Sequence, residues 1–196
     1  MSDVVEPVVE RTGGSKLARN SAIVVGVVLV ILIALLATRG TSTPISSRIV
    51  GQAAPDFSGT TIDGSTWVMS NHRGEWVVVN FFATWCTPCR IEDPQIQQFV
   101  DSHRGDPVRV ISVAFSDDAD SITEYWIQER NTWPVIARDT GSIALDYGVT
   151  KVPESYVVAP SGLVVAGFYG GVTAAGLDKV IADNGGLAVA SMGGAR

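Results

Sequence analysis

The chain has 196 residues, 14 Lys and Arg against 20 Asp and Glu for a net charge of −6, and two cysteines. That length suits one globular domain plus a flanking segment, and the acidic balance argues against nucleic acid as a partner. Residues 1–20 form a short polar tail, broken by Thr12-Gly13-Gly14-Ser15 and expected on the cytoplasmic side. Residues 22–37, AIVVGVVLVILIALLA, are apolar without a charge, and with Ser21 and Thr38 they make a stretch over 21–38. This is at the lower edge of the ~17–25 residues a helix needs to cross a bilayer. A buried core helix would show a polar face at 3.6 spacing, and none is present.

The expectation is an uncleaved transmembrane signal anchor. The alternative is a cleaved signal peptide, for which the flank LLATRGTSTP offers only a weak small-x-small site. Arg11, Lys16 and Arg19 precede the span and Arg39 and Arg48 follow it, so charge barely decides the orientation. Chemical consistency places the C-terminal part outside, because disulfides form there. The chain is thus expected to be a single-pass cell-membrane protein with its domain on the extracytoplasmic side. Residues 39–50, RGTSTPISSRIV, read as a linker, 51–185 as the domain, and 186–196 as a glycine-rich flexible tail. From residue 51 onward there are 9 basic against 17 acidic side chains, a net −8.

Within the domain, EWVVVNFFA (Glu75 to Ala83) and VRVISVAFS (Val108 to Ser116) are continuous apolar runs, as expected of strands buried on both faces. Between them Thr87 to His103 has helical spacing, with Ile91, Ile96, Phe99 and Val100 apolar and a stop at Gly105. Strand, helix, strand in that order predicts a right-handed βαβ unit. Ser121 to Arg130 predicts a second helix, TWPVIARD a short extended segment, and Ile143 to Tyr147 a helical turn. SYVVA and LVVAGFY, separated by Pro160-Ser161-Gly162, predict an antiparallel hairpin, and a closing helix covers about Thr173 to Asp183. The fold class is α/β, a central mixed sheet with flanking helices.

The chemistry is concentrated in FFATWCTPCRIEDP, residues 81–94, which holds both cysteines. A zinc reading needs two more ligands, and His72 and His103 are each 14 residues from the nearer cysteine, so no metal is expected. A purely structural disulfide is disfavoured because a two-residue loop constrains the unfolded chain very little. Thiol–disulfide chemistry has a direct physical basis. Cys86 at a strand-to-helix junction meets the positive end of the helix, which favours its thiolate and makes it the nucleophile. Cys89, one turn on, can attack the resulting mixed disulfide. Pro88 suits the first turn, where a missing N–H costs little.

The segment VVVNFFATWCTPCRIEDP resembles the thioredoxin superfamily, and within it the membrane-anchored TlpA, ResA and CcmG (DsbE) branch. GQAAPDFSGTTIDG is similar to the opening segment of that branch and LDYGVTKVPESYVVAPSG to its cis-proline region, so the resemblance covers nearly all of residues 51–170. It implies a thioredoxin-like fold, no cofactor, and a catalytic set of Cys86, Cys89 and Glu92. Glu92 stands one turn beyond Cys89, and a buried carboxylate there could take and return the Cys89 proton. The bland alternative is a surface glutamate. Asn80 occupies the place where cytoplasmic thioredoxin carries a titrating aspartate, or is simply a core amide. Pro153 should be the cis-proline, orienting the Val152 backbone toward an extended substrate. Glu154 should line the groove and Trp85 should cover the site. Trp67, Trp76, Trp126 and Trp133 are expected to pack in the core, and Pro94 to kink its helix.

The resemblance further implies a reductant of protein disulfides such as the haem-attachment cysteines of apocytochrome c. It would be recharged by a membrane electron donor of the CcdA or DsbD type, because the chain has no second cysteine pair. A DsbA-like oxidase fits CTPC equally. A thiol peroxidase shares GQAAPDF, but Val79 and Ala83 stand where its pattern has proline and a hydroxyl residue. A non-enzymatic binding module on the same fold would keep its function without Cys86.

Overall fold

The computed structural model describes residues 16–37, 49–139 and 141–187; most of the expected cytoplasmic tail, linker and C-terminal tail lies outside them. The chain divides into two units, residues 1–41 and 42–196. In the first, α1 (Lys16–Ala37) is a 22-residue helix. Its apolar side chains from Ile23 to Ile33 are all 51–66 % exposed, on every side of the helix. Among the described residues, no helix is long and apolar enough to cross a membrane.

The second unit is built on a five-stranded sheet of order β5-β4-β3-β6-β7. β3 (Trp76–Phe82), β4 (Val108–Ala114) and β5 (Val135–Ile136) are parallel, while β6 (Glu154–Val158) and β7 (Val164–Tyr169) form an antiparallel hairpin on the other side of β3. Every residue of β3 is buried, as a run without polar alternation requires at the centre of a two-sided sheet. Full burial of each Val or Phe there contributes about 1.5–3 kcal/mol.

One face of the sheet packs Trp76, Val78 and Phe82 against α2 (Thr87–Ser102), α3 (Ala119–Glu129) and α5 (Ala174–Asp183). The other packs Val77, Val79 and Phe81 against α4 (Ser142–Tyr147) and an antiparallel hairpin of β1 (Ser58–Thr60) and β2 (Thr66–Val68). This is the central mixed sheet with flanking helices that the resemblance implies. The four expected core tryptophans are all buried.

The hairpin β1–β2 lies within what the sequence offered only as an opening segment. It turns at Gly64, whose φ of +84° suits glycine, with the Thr61 amide donating to the Ser65 carbonyl at 2.9 Å. Ile49 and Val50 pack on the core, Leu187 packs on the opposite cluster, and the Trp76 indole donates to the Gly186 carbonyl at 3.1 Å.

Candidate active site

β3 delivers the chain to the start of α2, and Cys86 is the residue at that junction, with extended φ and ψ of −86° and 101°. Its sulfur takes the place of a capping oxygen, accepting from the Cys89 amide at 3.2 Å. Pro88 lies in the first turn, where it leaves no helical hydrogen bond unmade. Cys86 and Cys89 are joined in a disulfide with Sγ–Sγ 2.08 Å. Both are buried, at 4 % and 1 % exposure, at the end of a helix whose free amides favour a thiolate on Cys86 when the bond is reduced.

One turn after Cys89, Glu92 is 2 % exposed and faces the sheet. Its Oε1 accepts from Asn80 Nδ2 at 2.9 Å and its Oε2 from the Val172 amide at 2.8 Å. Burial pushes its carboxyl up to about 8, against the opposing pull of those two donors; the neighbouring Asp93 charge adds to the rise. Asn80 is therefore more than a filler amide. It stands in β3 directly between Ser112 of β4 and Ser155 of β6, one row of polar side chains across three strands. Gly171 carries the backbone over the Glu92 carboxylate, close enough that a Cβ there would lie 3.6 Å from Oε2.

The Val152–Pro153 bond is cis, as the resemblance implies. Val152 packs against both core clusters, and the Pro153 carbonyl accepts from the Gly170 amide at 3.0 Å. Trp85 is 60 % exposed, its indole N–H donating to the Ser116 carbonyl at 3.2 Å. The Asp117 carboxylate fastens the same loop by accepting from the Thr84 amide at 2.5 Å and hydroxyl at 2.8 Å.

With this geometry the comparisons with known proteins agree. The model of the AhpC/TSA family matches residues 50–166. The chain belongs to the AhpC/TSA family. It is 30 % identical over 139 residues to the thiol-disulfide oxidoreductase ResA of Oceanobacillus iheyensis, covering 68 % of this chain and 72 % of that one. It is 27 % identical over 146 residues to the thiol:disulfide interchange protein DsbE of Pseudomonas fluorescens biotype C, covering 72 % and 80 %. Among solved structures, a thiol:disulfide interchange protein of the thioredoxin family from Chlorobium tepidum superposes with TM-score 0.62 at 28 % identity, over 71 % of this chain and 98 % of that one. The fold is thioredoxin-like, and the enzyme is a thiol–disulfide oxidoreductase of the ResA and DsbE type.

Two further carboxylates of this AhpC/TSA-family domain are buried. Glu154, expected to line the groove, is fully buried at 0 % exposure. Its register opposite Phe81 turns it, by strand alternation, to the face away from Asn80 and Glu92. There its Oε1 accepts from the Tyr156 hydroxyl, and burial pushes its carboxyl up against the pull of Tyr156 and Lys151. Glu154 is therefore closed off from solvent, on the sheet face away from α2.

Asp93, not singled out from the sequence, is 5 % exposed beside Glu92. It accepts from the Tyr125 hydroxyl and, at 3.4 Å, from Asn131 Nδ2; burial raises its carboxyl. The Arg90 guanidinium lies over the Tyr125 ring at 5.2 Å, so this group ties the first turns of α2 to α3. A signal was present. Both acids fall within the stripe running through Cys89, Ile96, Phe99 and Val100, which marks the buried side of the helix.

Proposed function

We propose that this enzyme is a membrane-tethered, extracytoplasmic reductant of specific protein disulfides, with the paired haem-site cysteines of apocytochrome c as its substrate class. The observation that carries this reading is the buried Glu92 carboxylate one turn from Cys89, on the helix whose first turn holds the disulfide. In the reduced enzyme the Cys86 thiolate attacks one sulfur of the substrate disulfide, forming a mixed disulfide and releasing the other sulfur as a thiolate. Glu92 takes the Cys89 proton, Cys89 attacks the Cys86 sulfur, and the second substrate sulfur leaves. The two released substrate sulfurs take up the proton carried by Glu92 and one from water, leaving two substrate thiols and the Cys86–Cys89 disulfide.

The cis-proline segment supplies the binding surface. The Val152 backbone pairs with the extended substrate, Pro153 holds that segment, and the exposed Trp85 ring flanks it. A membrane donor of the CcdA or DsbD type returns the two electrons. Tethering rests on the uncharged run over 21–38 and on a 22-residue α1, about 33 Å long, whose apolar side chains from Ile23 to Ile33 face outward all round.

The deciding measurement is the reduction potential of the Cys86–Cys89 pair in the full chain in detergent, equilibrated with thiol buffers at pH 7. A value at or below about −220 mV is expected for a reductant fed from the membrane. One near about −120 mV marks a disulfide-introducing oxidase and overturns the direction of transfer.

A further inference from the structure

A hydrogen-bond chain runs into the active-site carboxylate along the same face of the sheet, from Trp133 just ahead of β5. Trp133 Nε1 donates to Ser112 Oγ at 2.8 Å, Ser112 Oγ donates to Asn80 Oδ1 at 2.9 Å, and Asn80 Nδ2 donates to Glu92 Oε1 at 2.9 Å and to Ser155 Oγ at 3.1 Å. All five residues are buried, none more than 4 % exposed.

The chain has a direction that chemistry fixes. An indole N–H can only donate, so Ser112 Oγ must accept at that contact. The serine has a single hydrogen, and Asn80 Oδ1 is the acceptor in reach. Once Oδ1 accepts, the amide's two N–H bonds must point the other way, toward Glu92 and Ser155. A flipped amide would leave the Ser112 hydrogen buried without an acceptor and set Oδ1 against Glu92 Oε1. It would repel the carboxylate and welcome the carboxylic acid.

We propose that Ser112 is a positioning residue for Glu92: by locking the Asn80 amide in one orientation, it decides which protonation state of the active-site carboxylate the amide stabilises. This rests on the reading of Glu92 as the proton carrier for Cys89. The groups that meet Glu92 are Asp93 on its own helix, Asn80 on β3, and the Gly171–Val172 backbone before α5, with Cys89 one turn earlier on the helix; among the described residues, Asp93 is the one charged group acting on it. The Asn80 and Val172 donors each hold one oxygen, so a proton on Glu92 lodges on a lone pair turned away from both.

The test is a titration of the Glu92 carboxyl carbon by NMR in the full chain, with the resonance assigned by its loss in Glu92→Gln. The wild-type midpoint is expected near about 8. Ser112→Ala frees the amide to turn its oxygen to the protonated acid, and the midpoint should rise by about one pH unit, the scale of one hydrogen bond. Trp133→Phe alone leaves the serine hydrogen on Asn80 and should leave the midpoint near the wild-type value.

Ser112→Ala also strands the Trp133 donor. Ser112→Ala/Trp133→Phe removes that orphan and should show the same rise in a fully folded protein. An unmoved midpoint in a folded Ser112→Ala or double variant overturns the proposal, because loss of mere packing would lower stability and leave the midpoint alone. The pH profile of mixed-disulfide resolution separates the two layers. If Glu92→Gln leaves that profile unchanged, the proton-carrier reading fails, while the titration still decides whether Ser112 positions the group.

Discussion

Two carboxylates lie buried on opposite faces of one sheet, and their surroundings differ in kind. Glu92, 2 % exposed, sits on the helix that carries the disulfide and meets only fixed N–H donors, from Asn80 and Val172. Glu154, 0 % exposed, sits in a strand on the α4 face and meets the hydroxyl of Tyr156. Burial pushes both carboxyls up. Raised basicity therefore does not by itself mark a proton carrier. Position relative to the sulfur does, together with donors that hold the carboxylate in one orientation as its charge changes.

Replacing each acid by its amide is the sharpest way to break this comparison. Glu92→Gln is expected to slow resolution of the mixed disulfide by on the order of 10²-fold, the usual share of a positioned acid–base group. Glu154→Gln, turned away from the cysteines, should leave the rate near that of the wild type. Single-turnover mixing of the reduced enzyme with a peptide disulfide, followed by tryptophan fluorescence, measures both. Equal losses would mean that the face of the sheet does not matter.

Stability against pH gives a second, smaller contrast. The folded state binds the Glu92 proton more tightly than the unfolded chain does, so its contribution is fully present below about 4.5 and is lost as pH rises toward about 8. The loss is on the order of a few kcal/mol for a shift of that size. Urea unfolding at pH 5 and pH 8.5 should therefore show a flatter response in Glu92→Gln than in the wild type. A slope as steep as the wild type's would place the proton elsewhere. Glu154→Gln should flatten the response in the same direction while sparing the rate, which is the combination that separates the two acids.

How far the sequence revealed these differences depended on pattern. The strand–helix–strand unit was legible because VVVNFF and VRVISVA are long apolar runs and the cysteine pair marks the helix start between them. The sides of those strands were not legible. A strand buried on both faces has no polar alternation, so nothing in ESYVV says whether Glu154 or Ser155 looks toward α2. The register supplies that information, by pairing Glu154 with Phe81 and Ser155 with Asn80. One clue lay unused: Asn80 and Ser112 are each the fifth residue of their strands, and a parallel pairing that aligns the strand starts brings those two polar side chains together. The β1–β2 hairpin was missed because its strands are three residues long and only one of their residues, Trp67, is buried.

The last contrast concerns how the α2 face is fastened at its far end. His103, just past α2, places Nδ1 2.9 Å from Asp106 and Nε2 2.8 Å from Asp178 of α5. Partial burial works against a charge on the ring, but the two carboxylates outweigh it and the imidazole is raised above its ordinary value of 6.5. A raised histidine contributes stability that is fully present below about 6.5 and is lost as pH climbs through the folded value. Both partner carboxylates are largely open to water, so the contribution is expected to stay under about 1 kcal/mol and to shrink in salt. His103→Gln should accordingly lower stability slightly at pH 6 and hardly at all at pH 9, in a urea series run at low salt. Because α5 follows directly on the loop that presents the Val172 amide to Glu92, the same variant tests whether this clamp reaches the site. An unchanged Glu92 midpoint in His103→Gln would confine it to stability, and a shifted one would show that docking of α5 helps to hold the donor in place.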